Sequence, residues 1–125
     1  MNQLCYCNSD KVFEKCCQPI ILGFKNATSA EECMRSRYSA YVLGEVDYLL
    51  NSTFPSQRRY YSKSEIKAWS QENTWQKLEI IFSSFDIIEF KAYYLDKSNK
   101  QIIHHEKSKF KNENNFWYFY SGEVF

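Results

Sequence analysis

Five cysteines in a chain of 125 residues constrain the fold most tightly, because four of them fall within thirteen residues. Cys5, Cys7, Cys16 and Cys17 form the pattern C-x-C, eight residues, then C-C, while Cys33 stands alone. Four thiolates complete the tetrahedral shell of a zinc ion, whose Zn–S bonds of about 2.3 Å need ligands from two converging segments. Asn8 and Ser9 can turn the chain, and Ser9 or Asp10 can cap a short helix through KVFEKCC. On this reading Cys16 and Cys17 end that helix and face back toward Cys5 and Cys7. Lys11 and Lys15 are close enough in sequence to offset the charge of a four-thiolate site. Disulfides and free or redox-active thiols are the alternatives. A Cys16–Cys17 bridge is a strained vicinal ring and a Cys5–Cys7 bridge is nearly as tight. Cross-pairing between the segments suits a secreted chain better. Cys33, beside Met34 in a helical pattern, reads as a small buried hydrophobe.

Cysteine chemistry depends on compartment. MNQLCYCNSDKVFEKCC has neither the basic start nor the apolar run of a signal peptide, and no stretch approaches the roughly 20 apolar residues of a membrane helix. The expectation is a soluble, cytoplasmic protein whose thiols stay reduced. Sixteen Lys+Arg balance fifteen Asp+Glu, a net charge of +1 that creates no field for nucleic acid or an anionic membrane. Aromatic residues make up 18% of the chain, enough to build a real core and exclude disorder as its overall state. The size prior gives one compact body with little room for a second.

Ser29-x-x-Glu32 is a capping-box pattern that opens a helix carrying Cys33, Met34, Tyr38, Tyr41 and Val42, and Gly44 is its natural stop. Val46, Leu49, Leu50 and Phe54 predict a second helix ended by Pro55. Ser62-x-x-Glu65 predicts a third, through Ile66 and Trp69 to about Asn73. The period then becomes two. Leu78, Ile80 and Phe82 share one face, as do Ile88, Phe90, Ala92 and Tyr94, then Ile102, His104, Glu106, Ser108 and Phe110. DKSNK and NENN are turns, and FWYFYSGEVF is a last strand. Helices within 28–73 followed by a four-stranded antiparallel meander within 74–121 make an α+β fold, with the helices on one face of the sheet. Residues 19–28 read as a linker.

CYCNSDKVFEKCC resembles the SecA C-terminal (SEC-C) zinc motif. The segment ECMRSRYSAYVLGEVDYLLNSTFPSQR resembles the signature of the YchJ-like family of small bacterial proteins, and the likeness continues through AWSQENTWQKLEI, IEFKAYY, HEKSKF and WYFYSG. The resemblance implies a zinc hook over 1–27, with one structural zinc on Cys5, Cys7, Cys16 and Cys17. Over 28–125 it implies a cone like nuclear transport factor 2, three helices on a curved sheet. The motif usually has glycine directly after its second cysteine and again two residues later. This chain has Asn8 and Asp10 there, the non-glycine residues most tolerant of left-handed backbone. The hook is expected to need metal, and the body to keep its fold without it.

Cones of this class often hold a pocket between the helices and the concave sheet face. Candidate lining residues are Arg35, Arg37, Tyr38, Tyr41 and Asp47 from the helices, and His104, His105, Glu106 and Ser108 from one strand. A histidine and a carboxylate facing one cavity suit general acid–base work. Alternation allows His104, Glu106 and Ser108 to share that cavity but turns His105 away. The plain alternative is a buried polar network tying the arginine helix to the sheet. Arg35 and Arg37 lie about 200° apart on their helix, so one is expected to be buried against an acidic side chain and the other solvated. No phosphate-cradling glycine motif is present. The leading expectation is a non-enzymatic adaptor whose hook meets another protein. Small-molecule binding, or lyase- or isomerase-type catalysis in the cone, is the alternative. A polar cavity in the cone would favour the second, and a filled cone with an apolar patch beside the hook the first.

Overall fold

A computed structural model describes residues 3–125; Met1 and Asn2, the start of the expected hook, lie outside the described residues. Four α-helices precede four strands: α1 (Cys17–Ile21), α2 (Ala30–Leu43), α3 (Val46–Asn51), α4 (Lys63–Glu72), β1 (Thr74–Ser83), β2 (Ile87–Leu95), β3 (Gln101–Glu113) and β4 (Phe116–Val124). None of these helices is long and apolar enough to cross a membrane.

The long helices begin where their caps are written. Ser29 Oγ accepts from the Glu32 N–H at 3.1 Å, and Glu32 Oε1 reaches back to accept from Thr28 N–H at 2.8 Å. Ser62 Oγ accepts from the Glu65 N–H in the same way. Gly44, at φ 73°, closes α2 in the left-handed conformation that glycine adopts without strain. The second helix is shorter than its apolar pattern suggests. It stops at Asn51, so Phe54 lies beyond it, and Pro55 opens a six-residue 3-10 segment, Pro55–Tyr60, instead of ending a helix.

The sheet is a meander in the order β1-β2-β3-β4, all antiparallel. Asn114 and Asn115, both at positive φ, make the two-residue turn between β3 and β4. Bulges between Trp75 and Lys77, Ile80 and Phe82, and Lys109 and Phe110 bend the strands into a curved sheet. The second bulge also corrects the expected β1 face: Leu78 is buried, but Phe82, beyond the slip, is 52% exposed. The free edge of β4 is covered by residues 52–54. Phe54 N–H donates to Phe119 O and Phe119 N–H to Ser52 O, each at 2.8 Å.

The hook differs from its expectation. Leu4 and Val12 pair as a small antiparallel bridge, and only Phe13–Lys15 forms a turn of 3-10 helix, with no side-chain cap from Ser9 or Asp10. Cys17 therefore starts a helix instead of ending one. That helix, α1, takes up much of the segment read as a linker, with Pro19 in its first turn where no backbone N–H is needed. Cys5, Cys7, Cys17 and Ile20 share one buried cluster with Cys33, Met34 and Tyr38 of α2 and Leu78 of β1. Hook and cone have one continuous core.

Candidate metal centre and cone cavity

The four cysteine sulfurs of the hook lie within 4.8 Å of one another. Cys7 and Cys16 Sγ are 3.7 Å apart, and Cys16 and Cys17 Sγ 3.9 Å. Tetrahedral ligands at about 2.3 Å from a zinc ion lie about 3.8 Å from each other, whereas a disulfide would bring two sulfurs to about 2.05 Å. All five cysteines are free thiols. The donor set thus fits a tetrahedral thiolate-bound ion in both spacing and chemistry.

The turn that closes the site uses the two residues that replace glycine. Asn8 (φ 63°) and Asp10 (φ 68°) are both left-handed. Asn8 adds something glycine lacks, since its Oδ1 accepts from the buried Leu78 N–H at 2.8 Å and ties the hook to β1. Arg35 Nη1 donates to Cys7 O at 2.6 Å, Ser39 Oγ lies 3.6 Å from Cys5 Sγ, and Ser9 Oγ 3.2 Å from Cys16 Sγ. These contacts orient the ligands from outside. Lys11, Lys15 and Arg35 border the depression beside Cys16, in keeping with the expected charge offset.

The thiols cannot all ionise together without a cation. Hydrogen bonds from Cys17 and Cys7 favour a thiolate at Cys5, and the Cys17 thiol is held protonated by its bond to that same sulfur. Burial pushes Cys16 up to about 11. A metal ion held by the four sulfurs would supply the missing charge.

The second site is a cavity of about 210 Å³ between α2, α4 and the concave sheet. Its wall is largely aromatic, with Tyr38, Tyr41, Tyr61, Trp69, Trp75, Phe90 and Phe119. Its polar groups are Arg37, His104, Glu106 and Ser108. The expected trio on β3 does converge. His104 Nε2 lies 2.8 Å from Glu106 Oε1, and Ser108 Oγ donates to Glu106 Oε2 at 2.5 Å. Burial alone would raise the Glu106 carboxyl. The bonds from His104 and Ser108, with the nearby Arg37 charge, outweigh it and hold the group below its ordinary value. Room for Glu106 comes from Gly122 of β4, where a Cβ would collide with the carboxylate. Gly122 was not a sequence candidate, although it sits in the quoted WYFYSG segment.

The helical candidates divide. Arg37, Tyr38 and Tyr41 line the cavity, whereas Arg35 belongs to the metal centre. The expectation for the arginine pair is corrected. Arg37 is the buried one, at 7% exposure, but its partners are not acidic. Nη1 donates to Leu49 O (2.8 Å), Ser52 Oγ (2.7 Å) and Thr53 Oγ1 (3.3 Å), and the guanidinium lies 4.8 Å from the Phe119 ring. Arg35, half-buried, is the one paired with a carboxylate, Glu31, at 3.0 Å. Asp47 lies outside the cavity and pairs with Lys63 on the surface. His105 faces the outer side of the sheet, as alternation requires, and meets Glu89 at 2.7 Å.

Residues 29–122 match the family described as "YchJ, middle NTF2-like domain", and residues 1–19 match the SEC-C motif. A UPF0225 protein of Geobacter sulfurreducens is 34% identical over 129 residues, covering 98% of this chain and 80% of that protein. A UPF0225 protein of Vibrio vulnificus is 36% identical, covering 94% and 73%. Among solved structures, a SEC-C motif containing protein from Rhodopseudomonas palustris superposes with a TM-score of 0.90 at 32% identity, covering 100% of this chain and 99% of that one. One from Psychrobacter arcticus gives 0.80 at 32%, covering 97% and 81%.

Proposed function

We propose that this chain, which belongs to the YchJ family of SEC-C-motif proteins, is a small-molecule-binding protein whose cone cavity is the working site and whose hook is fastened by one structural zinc. The observation that carries this reading is that the cone is open at its centre, with Arg37, His104, Glu106 and Ser108 on the cavity wall. A cone that served only as scaffold would gain from filling that space with side chains. The volume holds about seven waters at liquid density, less than the roughly 300–1,000 Å³ of drug-sized ligand pockets, so the ligand is small.

Cys5, Cys7, Cys16 and Cys17 would hold the zinc. When bound, the ion supplies a cross-link and the charge that keeps four thiolates together, and with four protein ligands it leaves no open position for chemistry. The unbridged thiols accord with a reducing, cytoplasmic setting.

A second reading, the adaptor, rests on the exposed apolar side chains of the hook region: Leu4 (56%), Leu22 (54%) and Phe24 (80%). Its partner would be another protein.

The cavity reading is tested by closing the cavity. Ala92 is buried on β2 and lines it. Ala92→Leu should fold with unchanged zinc content, because the added methyl groups enter open space. It should abolish the quenching of tryptophan fluorescence by small aromatic fragments. Fragment binding that survives Ala92→Leu, or a variant destabilised as in a filled core, would overturn the reading.

A further inference from the structure

Among the described residues that line the cavity, Arg37 alone carries a permanent positive charge, and its hydrogen bonds are lopsided. All three come from Nη1. Nε and Nη2 donate to no described protein atom, yet no described side-chain nitrogen or oxygen is both sealed from solvent and unpartnered. The open edge of the guanidinium is therefore not sealed in the core, and Arg37 is a residue of the cavity wall. No described carboxylate forms an ion pair with it. Glu106, the acid on the cavity wall, is near enough to feel the Arg37 charge and has one oxygen engaged by His104 and the other by Ser108. A guanidinium edge presents two parallel donors, a geometry that matches a carboxylate. The wall is aromatic, with Phe119 beneath the guanidinium and with Trp69 and Trp75, packed edge to face on each other, also lining the cavity.

We infer that the cavity selects a small planar carboxylic acid, with the carboxylate on the Nε–Nη2 edge of Arg37 and the apolar plane against the aromatic wall. The inference rests on the reading of the cavity as a ligand site and names the ligand's chemistry. Burial strengthens the ion pair, because the site is shielded from water.

Four probes of one shape separate the classes: benzoate, benzamide, benzylamine and toluene. Each is titrated into the zinc-loaded protein while tryptophan fluorescence and the Arg37 Nε–H resonance are followed. Benzoate should bind about tenfold or more tighter than benzamide and toluene, as a charge-assisted pair requires, and benzylamine weakest. Benzoate alone should shift the Arg37 Nε–H signal strongly. Arg37→Lys keeps the charge but loses the fork, and should cost benzoate most of its advantage while leaving toluene unchanged. If that variant fails to fold, the order of the four probes on the native chain still decides. Toluene or benzylamine binding as tightly as benzoate overturns the carboxylate assignment and leaves the cavity reading standing. No binding by any of the four overturns both.

Discussion

At Asn8 the backbone is left-handed and the side chain holds the N–H of Leu78 on a strand seventy residues away. Two effects are therefore separable at one position. Asn8→Ala forces a Cβ into an unfavourable conformation and strands a buried donor, and should lower the unfolding free energy of the zinc-loaded protein by about 2–4 kcal/mol. Asn8→Gly removes the backbone strain but not the orphaned donor, so it should cost about half as much. Urea denaturation of the three proteins measures the difference. Equal losses would show that the left-handed conformation contributes nothing, and no loss in either would remove the tie between hook and sheet.

On the sheet, β3 and β4 meet where Ser108 pairs with Gly122 and Glu106 occupies the space above it. The Glu106 carboxyl is held below its ordinary value of 4.5, so its stabilising contribution is intact above that pH and is lost as pH falls through the depressed value. Gly122→Ala pushes the carboxylate off His104 and Ser108. The variant should melt below the native protein at neutral pH, and the gap should narrow as the pH is taken below the ordinary carboxyl range and the native Glu106 protonates. A gap of constant size would mean that the glycine serves the backbone and not the carboxylate. Much of this element was readable in advance: two-residue alternation put His104, Glu106 and Ser108 together and His105 apart. The caps at Ser29 and Ser62 were equally plain, because each is a short-range hydrogen bond written into four residues. What escaped was set by contacts distant in sequence. The face of β1 was misassigned at Phe82 because a bulge is fixed by its partner strand. The α1 helix was missed because the convergence of the four cysteines and the packing on α2 decide where it starts. Helical spacing showed that Arg35 and Arg37 diverge, but not that Arg37 would meet the carbonyl and hydroxyls around the end of α3.

In the whole molecule the metal centre is not an appendage. Cys5, Cys7 and Cys17 are buried against Cys33 and Met34 of α2 and Leu78 of β1, all within one core. The expectation that the body stays folded without metal, its melting shifted only moderately, becomes on this packing a graded one. Removing zinc with a chelator, or by Cys7→Ser, should raise amide hydrogen exchange in the hook and in the first turns of α2. The central strands β2 and β3, with their own ladders and aromatic core, should stay protected. Exchange confined to residues before 28 would restore the independent hook, and loss of protection in β2 and β3 would make the metal essential to the cone.

The cavity and the hook surface make opposite demands on one experiment, a backbone and indole chemical-shift map of the zinc-loaded protein on addition of benzoate. The expected changes centre on Arg37, Tyr38, Tyr41, Trp69, Trp75 and His104, and leave the hook residues Leu4, Leu22 and Phe24 unmoved. An unchanged cavity, or changes gathered on the hook instead, would contradict the assignment of the cone as the working site.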